Sequence, residues 1–355
     1  MFFAALFFAL VSSSISLATP RVSVSFSGES HVVDVDNFKI VAHLTNTGDE
    51  TLTLLNSPNT LLTPEWSTRA FQISNAKGIT PEFKGLVVKW SPQAAAANKS
   101  ITVIEPGKTV SFEHNLGGVY NFTTAGPGDY EIVPTNDAIL FSFIDANGAI
   151  GTIRADVTDG FHVTLSGSTK PSFYVGEETS VGLVRRANSF TGCSSSEKAA
   201  LKTAAQNAQT YADAAYRYLT RISASTTRYT TWFGTYTASR KNVVQTHYNY
   251  IRNGQLATDS FDCLCKRPDV YAFVYPNKFG IIYLCGAFWK APALGTDSKA
   301  GTLVHESSHF TRNGGTQDYA YGQRDAKALA KSNPSKATMN ADNHEYFAEN
   351  SPALA

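Results

Sequence analysis

No excess of charge of either sign stands out in this chain. Its 355 residues carry 30 Lys and Arg against 29 Asp and Glu, a net charge of +1, and the basic residues are scattered. That balance removes the electrostatic case for nucleic acid or a membrane surface as partner. No long apolar run follows the first 18 residues, so nothing later reads as a membrane span. No cysteine precedes Cys193; Cys193, Cys263, Cys265 and Cys285 all lie in the second half. What is present suits globular folding: 43% hydrophobic and 17% charged residues, in a length sufficient for two ordinary domains.

Residues 1–18, "MFFAALFFALVSSSISLA", are apolar and then turn small, ending in an A-x-A-like site at Ser16-Leu17-Ala18. This reads as a secretory signal peptide, which makes the product secreted and soluble. In that compartment an even number of cysteines suggests two disulfides. Three pairings are possible, and the one joining Cys263 to Cys265 is disfavoured by disulfide geometry.

Residues 20–182 alternate apolar and polar with period two in "RVSVSFSG", "FKIVAHLTNTG", "TLTLLNS", "TVSFEHNL", "GDYEIVP" and "FHVTLSGS". Gly, Asn, Asp and Pro interrupt them at short intervals, the pattern of an antiparallel sandwich. Asn98 and Asn121 open glycosylation sequons here. His31, His43, His114 and His162 show no ligand spacing and read as ordinary residues. The second half is different. An Ala-rich helix opens on the capping box Ser194-x-x-Glu197, and a second helix is expected at roughly 229–252. A β-hairpin turns at Pro276-Asn277-Lys278, and helices return at 300–311, 320–332 and 340–349. Arg185-Arg186 sits at the change of composition. After a signal peptide it reads as a processing site for a kexin-like protease, dividing the chain into signal (1–18), β-rich propeptide (19–186) and mature domain (187–355).

The mature part contains "LVHESSHFTRNGGTQDYAYG", residues 303–322. His305 and His309, four apart on a helix, present two imidazoles to one point, as zinc ligands would. Glu306 is offset by one residue and can reach a water on the metal as general base. Asn313-Gly314-Gly315 lets the chain turn and return Asp318 beneath the helix as a third ligand. Taken alone, Asp318 would read as the N-cap of a helix starting near Tyr319.

The segment "HESSHFTRNGGTQDYAYG" resembles the aspzincin metallopeptidases, whose pattern is HExxH followed by GTxDxxYG. "TTWFG", "YPNKFG", "YLCGAFWKAP" and "MNADNHEYFAEN" extend the resemblance over 189–355 to the fungal peptidyl-Lys metalloendopeptidases, a deuterolysin-related group. The resemblance implies a multidomain chain: a β-sandwich-like propeptide, then a mainly α, zincin-type (α+β) catalytic domain with a small β-hairpin or sheet. It implies one zinc ion per catalytic domain on His305, His309 and Asp318, with Glu306 as general base and Tyr321 stabilising the oxyanion. It pairs Cys193 with Cys263 and Cys265 with Cys285. It also implies cleavage on the amino side of lysine, with Asp342 as main receptor of the ammonium, Glu345 as its support and Tyr271 as the pocket wall, where the group carries Phe.

His344 is expected to be a supporting or surface residue. A rival scheme would make Glu345 the third ligand. The expected partners are lysine-containing proteins and peptides, a kexin-like processing protease, and the propeptide as inhibitor or folding aid, on a monomer. Having no cysteine, the propeptide cannot silence zinc with a thiolate. No lysine lies between Val181 and Cys193, so a lysine-directed enzyme could not make its own mature end there. A protease of broader, deuterolysin-like specificity and an inactive secreted homologue are the alternatives.

Overall fold

The computed structural model describes residues 20–174, 189–254 and 256–355. The segment 1–18, expected to be a signal peptide, and the pair Arg185-Arg186, expected to be a processing site, lie outside the described residues.

The first half is built from β1 (Val22–Ser27), β2 (His31–Val33), β3 (Lys39–Asn46), β4 (Leu52–Leu55), β5 (Phe71–Asn75), β6 (Glu82–Phe83), β7 (Val87–Trp90), α1 (Pro92–Ala97), β8 (Ile101–Ile104), β9 (Thr109–Asn115), β10 (Tyr120–Asn121), β11 (Gly128–Pro134), β12 (Leu140–Ile144), β13 (Ile150–Arg154), β14 (Asp156–Val157) and β15 (Phe161–Ser166). Alternation produces these strands. Along β3, buried Ile40, Ala42, Leu44 and Asn46 alternate with more exposed neighbours, so one face of the strand is committed to a core. The expected antiparallel sandwich is modified. Three four-stranded sheets, ordered β14-β1-β3-β9, β2-β15-β11-β5 and β13-β12-β4-β8, share one core that includes Val24, Ile40, Leu54, Phe122, Phe141 and Leu165. The β1–β14 and β2–β15 pairs are parallel.

The second half contains β16 (Phe190–Thr191), α2 (Ser195–Arg221), α3 (Thr227–Phe233), α4 (Ala238–Asn253), β17 (Ser260–Asp262), β18 (Val270–Val274), β19 (Ile281–Leu284), α5 (Gly286–Lys290), α6 (Lys299–His309), α7 (Gly322–Ser332), α8 (Pro334–Ala337) and α9 (Ala341–Glu349). The capping box forms: Ser194 Oγ accepts from Glu197 N, and Glu197 Oε2 accepts from Ser194 N at 2.7 Å. Helix α2 buries Leu201, Ala204, Ala208, Ala212, Ala215 and Leu219. These recur every three to four residues, and the alanines let α6 pack closely on this face.

The helix expected over 229–252 is two helices. Gly234, with φ +70°, ends α3, and a Cβ there would lie 2.1 Å from Ala330 O. Thr237 then caps α4 by accepting from Arg240 N. The hairpin forms as expected from β18 and β19. Both disulfides close in the expected pairing: Cys193–Cys263 ties the segment before α2 to the sheet, and Cys265–Cys285 ties the approach to β18 to the end of β19. Among the described residues, no helix is long and apolar enough to cross a membrane.

The two halves are joined through a strand. The second half's sheet runs β16-β17-β19-β18, and its edge is completed by β7 from the first half. Around this junction Leu86, Val88 and Trp90 pack with Leu55, Val270 and the Cys285 side chain, and Trp66 meets Phe273 edge to face. Burying each such large apolar side chain stabilises by roughly 1.5–3 kcal/mol.

Candidate active site

Helix α6 starts where Ser298 Oγ accepts from Gly301 N at 2.9 Å, and every residue from Ala300 to His309 is buried. The i, i+4 spacing sets the His305 and His309 rings side by side, 4.8 Å between centroids. The chain then turns back. Gly314 N and Gly315 N both donate to Phe310 O, Gly315 takes φ +59°, and Asn313 Nδ2 donates to Ser307 O. Gln317 N donates to Met339 O and Gln317 O accepts from Ala341 N, the first residue of α9, and Asn340 Oδ1 accepts from Tyr319 N and Ala320 N. These bonds fix Asp318 beneath α6. Helix α7 begins only at Gly322, with Tyr321 at the cap position, so Asp318 caps no helix.

His305, His309 and Asp318 each offer an atom to a common point, these atoms all lying within 4.8 Å of one another. His305 Nε2 is 3.1 Å from Asp318 Oδ1, and His309 Nε2 is 3.4 Å from Asp318 Oδ2. These approaches lack hydrogen-bond geometry: both ring Nε2 atoms, both Asp318 oxygens and both Glu306 oxygens are buried without a hydrogen-bond partner. Orphaned acceptors this deep are costly. Two imidazoles and a carboxylate are the donor set for a zinc-like ion with one coordination position left over, so the residues fit such a metal. Of the other ring nitrogens, His309 Nδ1 is hydrogen-bonded to Thr316 O at 2.8 Å, while His305 Nδ1 makes ion-pair contacts without hydrogen-bond geometry, 2.9 Å from Asp342 Oδ1 and 3.2 Å from Glu345 Oε2. Ligand histidines are oriented by this kind of contact.

Glu345 therefore stands on the Nδ1 side of His305, away from Asp318, and the group it forms with His305 and Asp342 does not include His309. Burial pushes Glu306 up to about 7, against the pull of the neighbouring imidazoles. Burial also raises the Tyr321 phenol well above its ordinary value, with Asp318 adding to the effect, so Tyr321 stays a proton donor. His344, expected as a supporting or surface residue, is fully buried. Its Nε2 is 3.1 Å from His247 Nδ1 and its Nδ1 is 2.9 Å from Asn340 O, so it is a core residue linking α9 to α4.

Asp342 and Glu345 share a buried pocket with a cation that sequence reasoning missed, Lys89 of β7. Its Nζ lies 2.5 Å from Glu345 Oε2, 3.3 Å from Asp342 Oδ1 and 3.6 Å from Asp297 Oδ1. The Tyr271 ring is 5.2 Å away and the Tyr346 ring 5.8 Å, both within cation–π range. The β7–β18 pairing shifts register between Val270 and Ala272, a bulge that leaves Tyr271 with no partner on β7, although its O accepts from Cys285 N at 2.9 Å, and its ring lies beside the ammonium. Burial works against the Lys89 charge, but Asp342 and Glu345 outweigh it and hold its pKa well above the ordinary value. Asp297 was missed as well. It accepts from Tyr346 Oη at 2.6 Å, which sets that ring beside the pocket. The one sequence signal for Lys89 is a single charge inside the apolar run Leu86–Trp90.

Tyr321 Oη donates to Val88 O at 2.8 Å and accepts from Asn59 Nδ2, so two groups of the first half meet the phenol. Away from the site, Asn98 is exposed at the end of α1, and Asn121 is half-buried in β10.

The chain is also similar to known proteins. The pattern of the aspzincin family, described as lysine-specific metallo-endopeptidase, matches residues 218–349. The peptidyl-Lys metalloendopeptidase of Armillaria mellea is 46% identical over 345 residues, covering 95% of this chain and 93% of that protein. The peptidyl-Lys metalloendopeptidase of Grifola frondosa is 47% identical over 357 residues, 99% of each. A solved zinc peptidase from Grifola frondosa is 60% identical, covers 46% of this chain and all of its own, and superposes with a TM-score of 0.46.

Proposed function

The chain belongs to the aspzincin family of zinc metalloendopeptidases, and from that premise we propose that it is a secreted zymogen whose mature domain cuts peptide bonds on the amino side of lysine. The carrying observation is an ammonium held by Asp342 and Glu345 immediately beside the His305–His309–Asp318 cluster. In this reading residues 1–18 are the signal, 19–186 the propeptide and 187–355 the catalytic domain. A kexin-like protease cuts after Arg186, and Asn98 and Asn121 carry glycans.

His305, His309 and Asp318 hold the zinc ion. Bound there, zinc supplies the Lewis acidity that polarises a carbonyl and acidifies water. Glu306, buried and poised near neutral pH, takes the proton of the attacking water and returns it to the leaving amine. Tyr321 donates to the oxygen of the carbonyl under attack, where negative charge develops. The C–N bond breaks, leaving a carboxylate on the residue before lysine and a free amine on the lysine. Asp342 and Glu345 set the register by gripping the lysine ammonium, with Tyr271 along its stem.

The test is zinc content and cleavage-site mapping by mass spectrometry on the processed protein, beside Glu306→Gln. The expected result is one zinc per chain and cuts confined to bonds preceding lysine, with the variant slower by about 10²–10⁴-fold. Cuts spread over unrelated residues would replace this reading with a broader, deuterolysin-like specificity. Absence of any chelator-sensitive hydrolysis would make the chain an inactive homologue.

A further inference from the structure

Strand β7 does more than complete a sheet edge. It runs antiparallel to β18 in the register Trp90↔Val270, Lys89↔Ala272, Val88↔Phe273 and Val87↔Val274, and all four of its residues are buried. Adding a strand to an exposed edge is a common way for a protein to take an extended peptide. Here the added strand also places both of its recognition groups on the site. The Lys89 ammonium fills the pocket of Asp342 and Glu345, while the carbonyl of the preceding residue, Val88, receives the Tyr321 hydroxyl. Carbonyl and lysine are adjacent in sequence, so the bond presented to the site is Val88–Lys89.

The segment is held there from both flanks. Leu86 N donates to Ser67 O at 3.0 Å, and Ser91 donates from its N to Asp269 O at 2.9 Å while its side chain caps α1. Asn59 adds a bond to the Tyr321 hydroxyl and approaches Val88 O at 3.4 Å. A strand fixed in this way loses little further entropy on docking and acts at the high effective concentration of an intramolecular ligand.

We propose that residues 87–90 are a built-in substrate mimic, and that the first half silences the protease by keeping Lys89 in the lysine pocket with Val88–Lys89 lying along the cleft. This rests on the lysine-selective reading above. It gives the cysteine-free first half a side chain with which to block the site.

The test uses the full-length chain carrying Glu306→Gln, which prevents self-cleavage, and a fluorescein-labelled peptide copying residues 86–91 as probe. Fluorescence polarisation reads its binding. The parent is expected to bind the probe weakly. Adding Lys89→Ala should tighten binding at least tenfold, whereas Lys39→Ala, on an exposed lysine paired with Glu113, should leave it weak. Lys89→Met, which keeps the stem without the charge, stands in if the alanine variant melts early, and it too should open the cleft. Tight binding by the parent, or equally weak binding by both folded Lys89 variants, overturns the proposal. A probe with leucine in place of lysine separates the two readings. If the opened chain binds both probes alike, lysine selectivity fails. If it prefers lysine while the parent binds as tightly as the Lys89 variants, only the mimic fails.

Discussion

Asp318 and Glu345 both approach His305, but on opposite nitrogens of the ring. Loss of Asp318 removes a group that faces both imidazoles, so Asp318→Ala is expected to abolish tight zinc binding. Loss of Glu345 removes an orienting contact on Nδ1, and Glu345→Ala is expected to weaken zinc binding by about 10–100-fold. Competition with a chelator, followed by metal analysis, measures both. Retention of zinc in Asp318→Ala with its loss in Glu345→Ala would reverse the ligand assignment. The sequence made this cluster legible to different degrees. His305, Glu306 and His309 stand within one helical turn, so spacing alone locates them. Asp318 alone reads as a helix cap, and its place beneath α6 depends on contacts from Asn340, 22 residues on. Lys89 was not legible, because the acids that give it meaning lie about 250 residues away.

At the level of elements, the pocket depends on how closely α9 approaches α6. Gly301 is the point of contact: a Cβ there would lie 2.1 Å from Glu349 Oε1 and 3.0 Å from Glu345 Cγ. The Glu349 carboxylate cannot simply swing away, since Oε1 accepts from both Ser298 N and Ser298 Oγ at 2.8 Å. Gly301→Ala should therefore push α9 outward. The expected destabilisation is about 1–3 kcal/mol, as for overpacking elsewhere, seen as a lower melting temperature. Because Glu345 rides on α9, the proposed cleavage before lysine should suffer as well. A melting temperature equal to that of the parent would show that the two helices part without cost. The sequence pattern places both helices but carries no signal for their separation. The same lack of tertiary information explains why α3 and α4 read as one helix: periodicity continues past Gly234, and the close approach of Ala330 that requires a glycine there is invisible locally.

Across the whole molecule, each half has its own core, and the junction holds a third cluster through which β7 reaches the site. The β-rich and helical characters of the halves follow from period-two and period-3.6 patterns. The strand that crosses between them does not, because its apolar residues suit either core. This arrangement makes the stability of the first half relevant to the state of the cleft, and one buried histidine ties that stability to pH. His114, on β9, is packed edge to face against Phe71 with its Nε2 3.2 Å from Leu61 O. Burial pushes its pKa down to about 4, below the value near 6.5 of an unfolded chain. The unfolded state then binds the extra proton first. His114 thus contributes stability in full above pH 6.5, and that contribution is lost as pH falls toward 4, a difference of roughly 3 kcal/mol. His247 and His344 are shifted in the same direction in the second half, so a global melt would mix the two halves. Hydrogen exchange at the amides of β3 and β9 isolates the first. Protection there should fall between pH 6.5 and 4.5 after correction for intrinsic exchange, and His114→Gln should flatten the dependence. An unchanged slope in that variant would assign the acid sensitivity of the first half to other groups.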